Sequence, residues 1–258
     1  MKAPARRVII TGASSGIGRA LALEYAGRGA TLRLIARRAD LLSQLAASLP
    51  VPSYTYAVDV THARSLAMAA EDFIARAGNP DVVIANAGVS AGTLTEKPED
   101  NAVFEEIMAI NVTGMMLTFQ PFVETMKRQR EGVLAGIASV AGFRGLPGAA
   151  AYSASKAAAI SYLESLRVEL HGSGVSVVTI CPGYVATSMT SKNPYHMPFL
   201  MDAKVAASRM ATAIAARKKF YVLPWQMSPV GWALRQLPRP LYDLLFTRAP
   251  HKPRRPPR

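Results

Sequence analysis

Short runs of aliphatic and β-branched residues alternate along the chain with longer segments whose apolar positions recur every three or four residues. The short runs predict strands over Arg7–Ile10, Thr31–Ala36, Ser53–Val58, Val82–Ala85, Val133–Ala138 and Ser176–Cys181, with a weaker seventh over Lys219–Leu223. The longer segments predict helices near Ile17–Arg28, Ala39–Ser48, Ala63–Ala77, Asn101–Gln129, Tyr152–His171 and Asp202–Arg217. Parallel neighbours must be joined by long right-handed crossovers, which is what this alternation supplies. The expected fold class is α/β: a doubly wound parallel sheet of about seven strands, helices on both faces, with its ligand at the carboxyl ends of the strands. No repeat or linker divides residues 1–223. After Pro224, prolines, both tryptophans and many arginines accumulate, which marks 224–258 as an appended C-terminal extension.

Half of the 258 residues are hydrophobic, enough for a sizeable core, and no low-complexity tract interrupts them. The formal net charge of +13 invites a nucleic-acid reading, but residues 201–258 hold 12 of the 30 Lys and Arg and only 2 of the 17 Asp and Glu. The charge belongs to the end of the chain, no nucleic-acid-binding motif is visible, and no nucleic-acid partner is expected. Cys181 is the single cysteine, so there is no internal disulfide; within Val177–Cys181 it reads as a small buried hydrophobe. The basic start, Met1 to Arg7, is not followed by the apolar segment of a signal peptide, and no uninterrupted apolar run reaches the roughly eighteen residues of a membrane span. A cytoplasmic location is the expectation. His62, His171, His196 and His251 are scattered without ligand spacing, so no metal is expected.

Thr11-Gly12-Ala13-Ser14-Ser15-Gly16-Ile17-Gly18 follows the first strand and opens a helix. Glycines allow the backbone to approach a pyrophosphate, and the helix N-terminus offers free N–H groups and the positive end of its dipole. The spacing Gly-x-x-x-Gly-x-Gly differs from the usual dinucleotide fingerprint. This segment resembles the phosphate-binding turn of the short-chain dehydrogenase/reductase family, whose members have a Rossmann fold, and that family's later landmarks follow in order. Asp59-Val60 is similar to the pair bordering the adenine, Asn86-Ala87-Gly88 to the turn lining the cofactor, and Pro182-Gly183 to the turn beside the nicotinamide. The resemblance runs from about Val8 to Thr187. It implies cofactor contacts from Gly12, Ser14, Ser15, Gly16, Ile17 and Gly18, from the landmark pairs, and from Val185 and Thr187, the latter at the nicotinamide carboxamide. An acidic residue at the end of the second strand would accept hydrogen bonds from ribose hydroxyls and repel a 2′-phosphate. Here stand Ala36-Arg37-Arg38, with no carboxylate until Asp40. NADP(H) is therefore the expected cofactor, with Arg37 the main phosphate contact and Arg38 a second.

Tyr152 and Lys156 are four residues apart, on one face of a helix. A phenol with a pKa near ~10 is a poor acid–base catalyst at neutral pH, and a neighbouring ammonium favours its phenolate. Ser139, at the end of a strand, offers a hydroxyl to a substrate carbonyl oxygen. In the family, residues matching Asn111, Ser139, Tyr152 and Lys156 form a catalytic tetrad. The resemblance implies Tyr152 as proton donor and acceptor, Ser139 stabilising charge on the oxygen, Lys156 also bonding the nicotinamide ribose, and Asn111 holding a relay water.

Residues 188–201 occupy the place of the family's substrate lid and carry Met189, Pro194, Tyr195, Met197, Pro198, Phe199 and Leu200, with Lys192 and His196 the basic groups. The expected reaction is NADP(H)-dependent interconversion of a carbonyl and an alcohol, with an apolar aldehyde, ketone or lipid-like oxo substrate. The alternatives are a catalytically silent NADP(H)-binding scaffold, which the intact tetrad disfavours, and an epimerase, which the short chain disfavours. The resemblance implies a homodimer or homotetramer built on the Asn101–Gln129 and Tyr152–His171 helices. In residues 225–258, aromatic and aliphatic side chains beside arginines fit peripheral contact with an anionic membrane, against a subunit contact or a solubilising tail. Pro238 and Pro240 interrupt any continuous amphipathic helix there.

Overall fold

The computed structural model describes residues 6–191 and 193–255. The basic start at residues 1–5, Lys192 of the expected lid and the last three residues of the tail lie outside them. Seven strands form one sheet in the order β3-β2-β1-β4-β5-β6-β7, every adjacent pair parallel. They are β1 (Arg7–Thr11), β2 (Thr31–Ala36), β3 (Ser53–Ala57), β4 (Val82–Ala85), β5 (Gly132–Ile137), β6 (Val175–Pro182) and β7 (Phe220–Leu223). The helices are α1 (Gly16–Gly27), α2 (Ala39–Ala47), α3 (Ala63–Ala77), α4 (Asn101–Met108), α5 (Gly114–Gln129), α6 (Ala150–Glu169), α7 (Ala203–Ala215), α8 (Met227–Gln236) and α9 (Arg239–Phe246). This is the doubly wound sheet expected from the alternation of strand and helix patterns.

Alternation along each strand divides the core into two layers, since successive side chains point to opposite faces. Val8, Ile10, Leu32, Leu34, Val82 and Ile84 pack with Leu21, Leu42 and Met210 of α1, α2 and α7. Ile9, Ile35, Val83 and Ala85 pack with Phe73, Phe119, Phe122 and Leu163 of α3, α5 and α6. The inner strands β1, β2, β4, β5 and β6 bury both faces, which is why they read as largely apolar runs, while the edge strands β3 and β7 are partly exposed. Pro98–Gln129 is a helical run long and apolar enough to cross a membrane, with a mean hydropathy of 1.3 in its most apolar window. Here Ile107, Met115, Phe119, Phe122 and Met126 of that run are buried in the protein's core.

Arg33 breaks the apolar pattern of β2. It is 1% exposed, with its guanidinium 4.7 Å from the Tyr56 ring centroid and near Phe73 and Phe122. One nitrogen donates weakly to the Leu66 carbonyl at 3.5 Å, while Nε and the other terminal nitrogen have no partner among the described residues. Burial pulls its pKa down to about 10. A buried cation with unpaired donors is costly, and an apolar side chain of similar length removes that cost. Arg33→Met is therefore expected to leave the melting temperature at or above the wild-type value. A clear fall would show that attraction to the aromatic rings outweighs desolvation.

Candidate active site

In the strand order, β1 lies between β2 and β4, and the connections from it diverge, opening a cleft at the carboxyl ends of β1 and β4. Thr11 ends β1, and its hydroxyl accepts the Asn86 and Ala87 amides, both at 3.1 Å. The Asn86 carboxamide returns a bond to the Thr11 carbonyl at 2.9 Å. Gly12 follows at φ +66°, and a Cβ there would lie 2.8 Å from the Ala87 Cα. At Gly18 a Cβ would lie 2.2 Å from the Gly12 carbonyl oxygen. The turn therefore closes only around hydrogens at these two positions. Ser15, the residue preceding α1, makes no side-chain cap bond, so the first-turn N–H groups of α1 remain available to an anion.

The cleft has a volume of about 350 Å³ and brings together Gly12, Ser14, Ser15, Gly16, Ile17, Arg37, Arg38, Asp59, Val60, Asn86, Ala87, Gly88, Ser139, Tyr152, Lys156, Pro182 and Thr187. Ala36, Val58, Val89, Ile110, Ile137, Ala138, Ser188 and Met189 line it as well; the sequence pattern marks most of these only as core. Arg38 donates to the Ser14 and Ser15 hydroxyls at 2.9 and 2.8 Å. Arg37 lies 3.6 Å from the Asp59 carboxylate. Burial raises the Asp59 pKa, but bonds from the Thr61 amide and hydroxyl, together with the Arg37 charge, outweigh it and hold the carboxyl below its ordinary value. Arg38 thus stands closest to the glycine turn, although the sequence ranks Arg37 first. The cradle, the free amides and the two guanidiniums fit the phosphates of a dinucleotide.

At the other end of the cleft, Ser139 follows β5 and is held by the Ala141 amide at 3.1 Å and the Pro182 carbonyl at 3.4 Å. Tyr152 and Lys156 share a face of α6, with the Lys156 ammonium 5.9 Å from the Tyr152 ring centroid. Lys156 is buried, donates to the Ile137 carbonyl at 2.8 Å, and has its pKa pulled down to about 8 by burial. Burial pushes Tyr152 above its ordinary value, with the Ser139 hydroxyl acting in the opposite direction. Buried Cys181 has its thiol pushed up to about 12, also by burial, and stays protonated.

Asn111 does not line the cleft directly. The helix predicted over Asn101–Gln129 is interrupted by a π-turn at Ala109–Thr113 between α4 and α5, and Asn111 lies in that turn. Its carboxamide grips Val89, accepting from the amide at 2.9 Å and donating to the carbonyl at 3.0 Å, and reaches the Ser155 hydroxyl at 2.9 Å. Gly18, Gly183 and Val185 also stand behind the cleft wall. Gly183 packs near Met227, and Val185 is buried where its strand-like segment meets Met201. Residues 188–201, where a lid is expected, begin and end on that contact, with Ala186 N–H donating to Met201 at 2.8 Å and Met201 N–H to Tyr184 at 3.0 Å. The Tyr195 ring centroid lies 6.5 Å from that of Tyr184. Thr11 and Ser155 complete the site's framework; nothing in the local sequence separates them from other buried hydroxyls.

The short chain dehydrogenase family model matches residues 6–197. An uncharacterized oxidoreductase of Myxococcus xanthus is 40% identical over 241 residues, which cover 92% of this chain and 95% of that protein. The solved structure of a short-chain dehydrogenase from Streptomyces avermitilis superposes with a TM-score of 0.80 at 26% identity, covering 90% of this chain and 93% of that one. An alcohol dehydrogenase from the archaeon Thermococcus sibiricus, complexed with 5-hydroxy-NADP, gives 0.75 at 25% identity over 84% of this chain and 95% of that one. The chain belongs to the short-chain dehydrogenase/reductase family. It is an oxidoreductase of alcohol and carbonyl groups that uses a nicotinamide cofactor.

Gly18→Ala sets a methyl group against backbone at both ends of the turn. It is expected to abolish binding of the reduced nicotinamide cofactor in a fluorescence titration and to lower stability by about 1–3 kcal/mol.

Proposed function

We propose that this oxidoreductase is an NADP(H)-dependent reductase of an apolar carbonyl compound, with Asn111, Ser139, Tyr152 and Lys156 as its working residues. The observation that carries the cofactor choice is the pair of arginines after β2, with Arg38 bonded to Ser14 and Ser15 where a 2′-phosphate would lie. No carboxylate follows β2 until Asp40, and a guanidinium pairs well with phosphate. The NADP-type ligand of the archaeal relative supports the same choice.

Gly12, Ser14, Ser15, Gly16 and the first turn of α1 would hold the pyrophosphate. Asp59 and Val60 would border the adenine, and Pro182, Gly183, Val185 and Thr187 would hold the nicotinamide end. A bound nicotinamide supplies or accepts the hydride at the substrate carbon. Tyr152 Oη gives the proton to the substrate oxygen, or takes it in reverse, while Ser139 Oγ donates a hydrogen bond to that oxygen. Lys156 has three donors. One is engaged by Ile137, leaving two for the ribose hydroxyls and for the electrostatic support of a phenolate. Asn111 Oδ1 and Lys156 Nζ both face Gly88, and a water between them would carry protons away from the ammonium. Met189, Phe199 and Leu200 are exposed on the lid, and this supports an apolar substrate. Exposed Phe104 on α4 and Val168 on α6 support a subunit contact on those helices. Trp225, Trp232, Leu244 and Leu245 face outward beside arginines, which supports peripheral contact with an anionic membrane. Retention of the protein in the soluble fraction during flotation with anionic liposomes would refute that contact.

Tyr152→Phe removes only the acidic hydroxyl. It is expected to lower kcat by about 100-fold or more at unchanged NADPH affinity. Equal loss of NADPH binding would point to a structural role instead.

Arg38→Leu is expected to raise the Kd for NADPH by about 10- to 100-fold while barely changing that for NADH, since a charge-assisted bond contributes about 1.5–3 kcal/mol. Arg37→Leu should have the smaller effect, and parallel titrations with both cofactors decide it.

A raised Tyr152 pKa keeps the proton donor loaded through neutral pH. Reduction should therefore hold steady there and fall on the alkaline side, where the phenol ionises, while alcohol oxidation rises over the same range. Steady-state pH profiles in both directions check the sign.

A further inference from the structure

The C-terminal tail does not trail into solvent. After α9 the chain turns back, and residues 251–255 run past the loop after β4 to the Tyr152 ring. Gly92, in the loop after β4, donates its N–H to the Pro253 carbonyl at 2.9 Å and pairs with Arg254 in a parallel bridge. The approach is so close that a Cβ on Gly92 would lie 2.2 Å from the Lys252 carbonyl oxygen. Arg254 locks the strap down. Its Nε donates to Asp100 at 2.9 Å and its terminal nitrogen to Glu99 at 2.8 Å, while Arg255 pairs with Glu106. Asp100 is 3% exposed, so the pair with it is largely shielded from solvent.

This anchoring puts the Lys252 ammonium 5.2 Å from the centroid of the Tyr152 ring. Lys252 is half-buried. Among the described residues, no carboxylate or hydrogen-bond acceptor is paired with it. Burial alone lowers its pKa, with no neighbouring acid to raise it. A cation held beside the Tyr152 ring by the next two arginines and their three carboxylates, yet without a counter-ion among the described residues, is a binding group open to an anion. Tyr184 and Tyr195, also near Tyr152, carry phenols that burial pushes up and keeps neutral. Nothing in the cofactor cradle calls for this charge, because the arginines after β2 stand at the opposite end of the cleft.

We propose that Lys252 is a specificity-determining residue, delivered to the active site by the C-terminal strap, and that the substrate is a carbonyl compound carrying an anionic group near its reacting carbon. A carboxylate is the simplest such group. This rests on the reductase reading and refines it: the substrate has an apolar part for the lid and an anionic part for the strap. Glu99, Asp100, Glu106, Arg254 and Arg255 are then positioning residues, acting through Lys252.

The test compares NADPH-dependent reduction of straight-chain oxo acids, levulinate among them, with that of their methyl esters. Wild-type protein should favour the acids by about tenfold or more in kcat/KM. Lys252→Met should bring the acid-to-ester ratio towards one by raising KM for the acids, and Lys252→Arg should restore it. Arg254→Gln, which frees the strap with Lys252 intact, should reduce the ratio in the same way without loss of NADPH binding. Equal turnover of acids and esters by wild-type protein, or a Lys252→Met ratio equal to that of wild type, would overturn the proposal while leaving the reductase reading standing. A second arm is independent of turnover: calorimetric titration of butyrate into NADP⁺-loaded protein. Binding that Lys252→Met abolishes supports the anion site even if no carbonyl is reduced, in which case the reductase reading alone fails. No butyrate binding by wild-type protein, with no acid preference, rejects the site.

Discussion

The architecture of the site depends on one close approach. The turn after β1, the start of α1 and the turn after β4 meet with only hydrogens between them at Gly12 and Gly18, and Thr11 and Asn86 tie the two strand ends through four hydrogen bonds. Two of these bonds satisfy backbone amides that leave the sheet, where they would otherwise be unpaired. The same contact sets the entry of α1 and therefore aims its free N–H groups along the cleft. It also fixes Asn86-Ala87-Gly88, whose far side borders Asn111 and Lys156. The two ends of the cleft are parts of a single backbone arrangement.

The charges within that frame are handled differently from one another. Arg33 is buried among aromatic rings with little hydrogen bonding, and it belongs to the core rather than to the cleft. Lys156 is buried but bonded to a backbone carbonyl, and its lowered pKa places its titration close to neutral pH. Arg37 stands 3.6 Å from the Asp59 carboxylate, while Arg38 has only hydroxyl partners among the described residues. A group whose charge is not cancelled within the protein is free to recognise a charge outside it. Arg38 and Lys252 share that property at the two ends of the site.

The C-terminal extension joins this system through the loop after Ser139. Arg144 donates to the Leu234 and Leu237 carbonyls, satisfying the end of α8, and its guanidinium lies 4.3 Å from the centroid of the Tyr242 ring. Tyr242 in turn bonds the Gly145 carbonyl. The extension is therefore fastened to the loop that leads from Ser139 into α6, and its tail runs from there to the Tyr152 ring.

Strand alternation and helical spacing were enough to determine the sheet and its seven strands, because each is a local pattern with a direct geometric meaning, and the glycine turn marked one wall of the cleft. The weak β7 pattern was legible for the same reason, and the break at Pro238 follows from the missing amide N–H of proline. Asn111 could be named from its resemblance to a family motif, but its grip on Val89 needed the π-turn, which helical spacing does not reveal. The relation of Arg37 to Arg38 was likewise open: adjacent side chains diverge according to the backbone path, and only the fold sends one to Asp59 and the other to Ser14 and Ser15. Residues 251–255 are the extreme case. As sequence they are a basic, proline-rich end, and their place beside Tyr152 depends on carboxylates about 150 positions away, a pairing that only tertiary structure could decide.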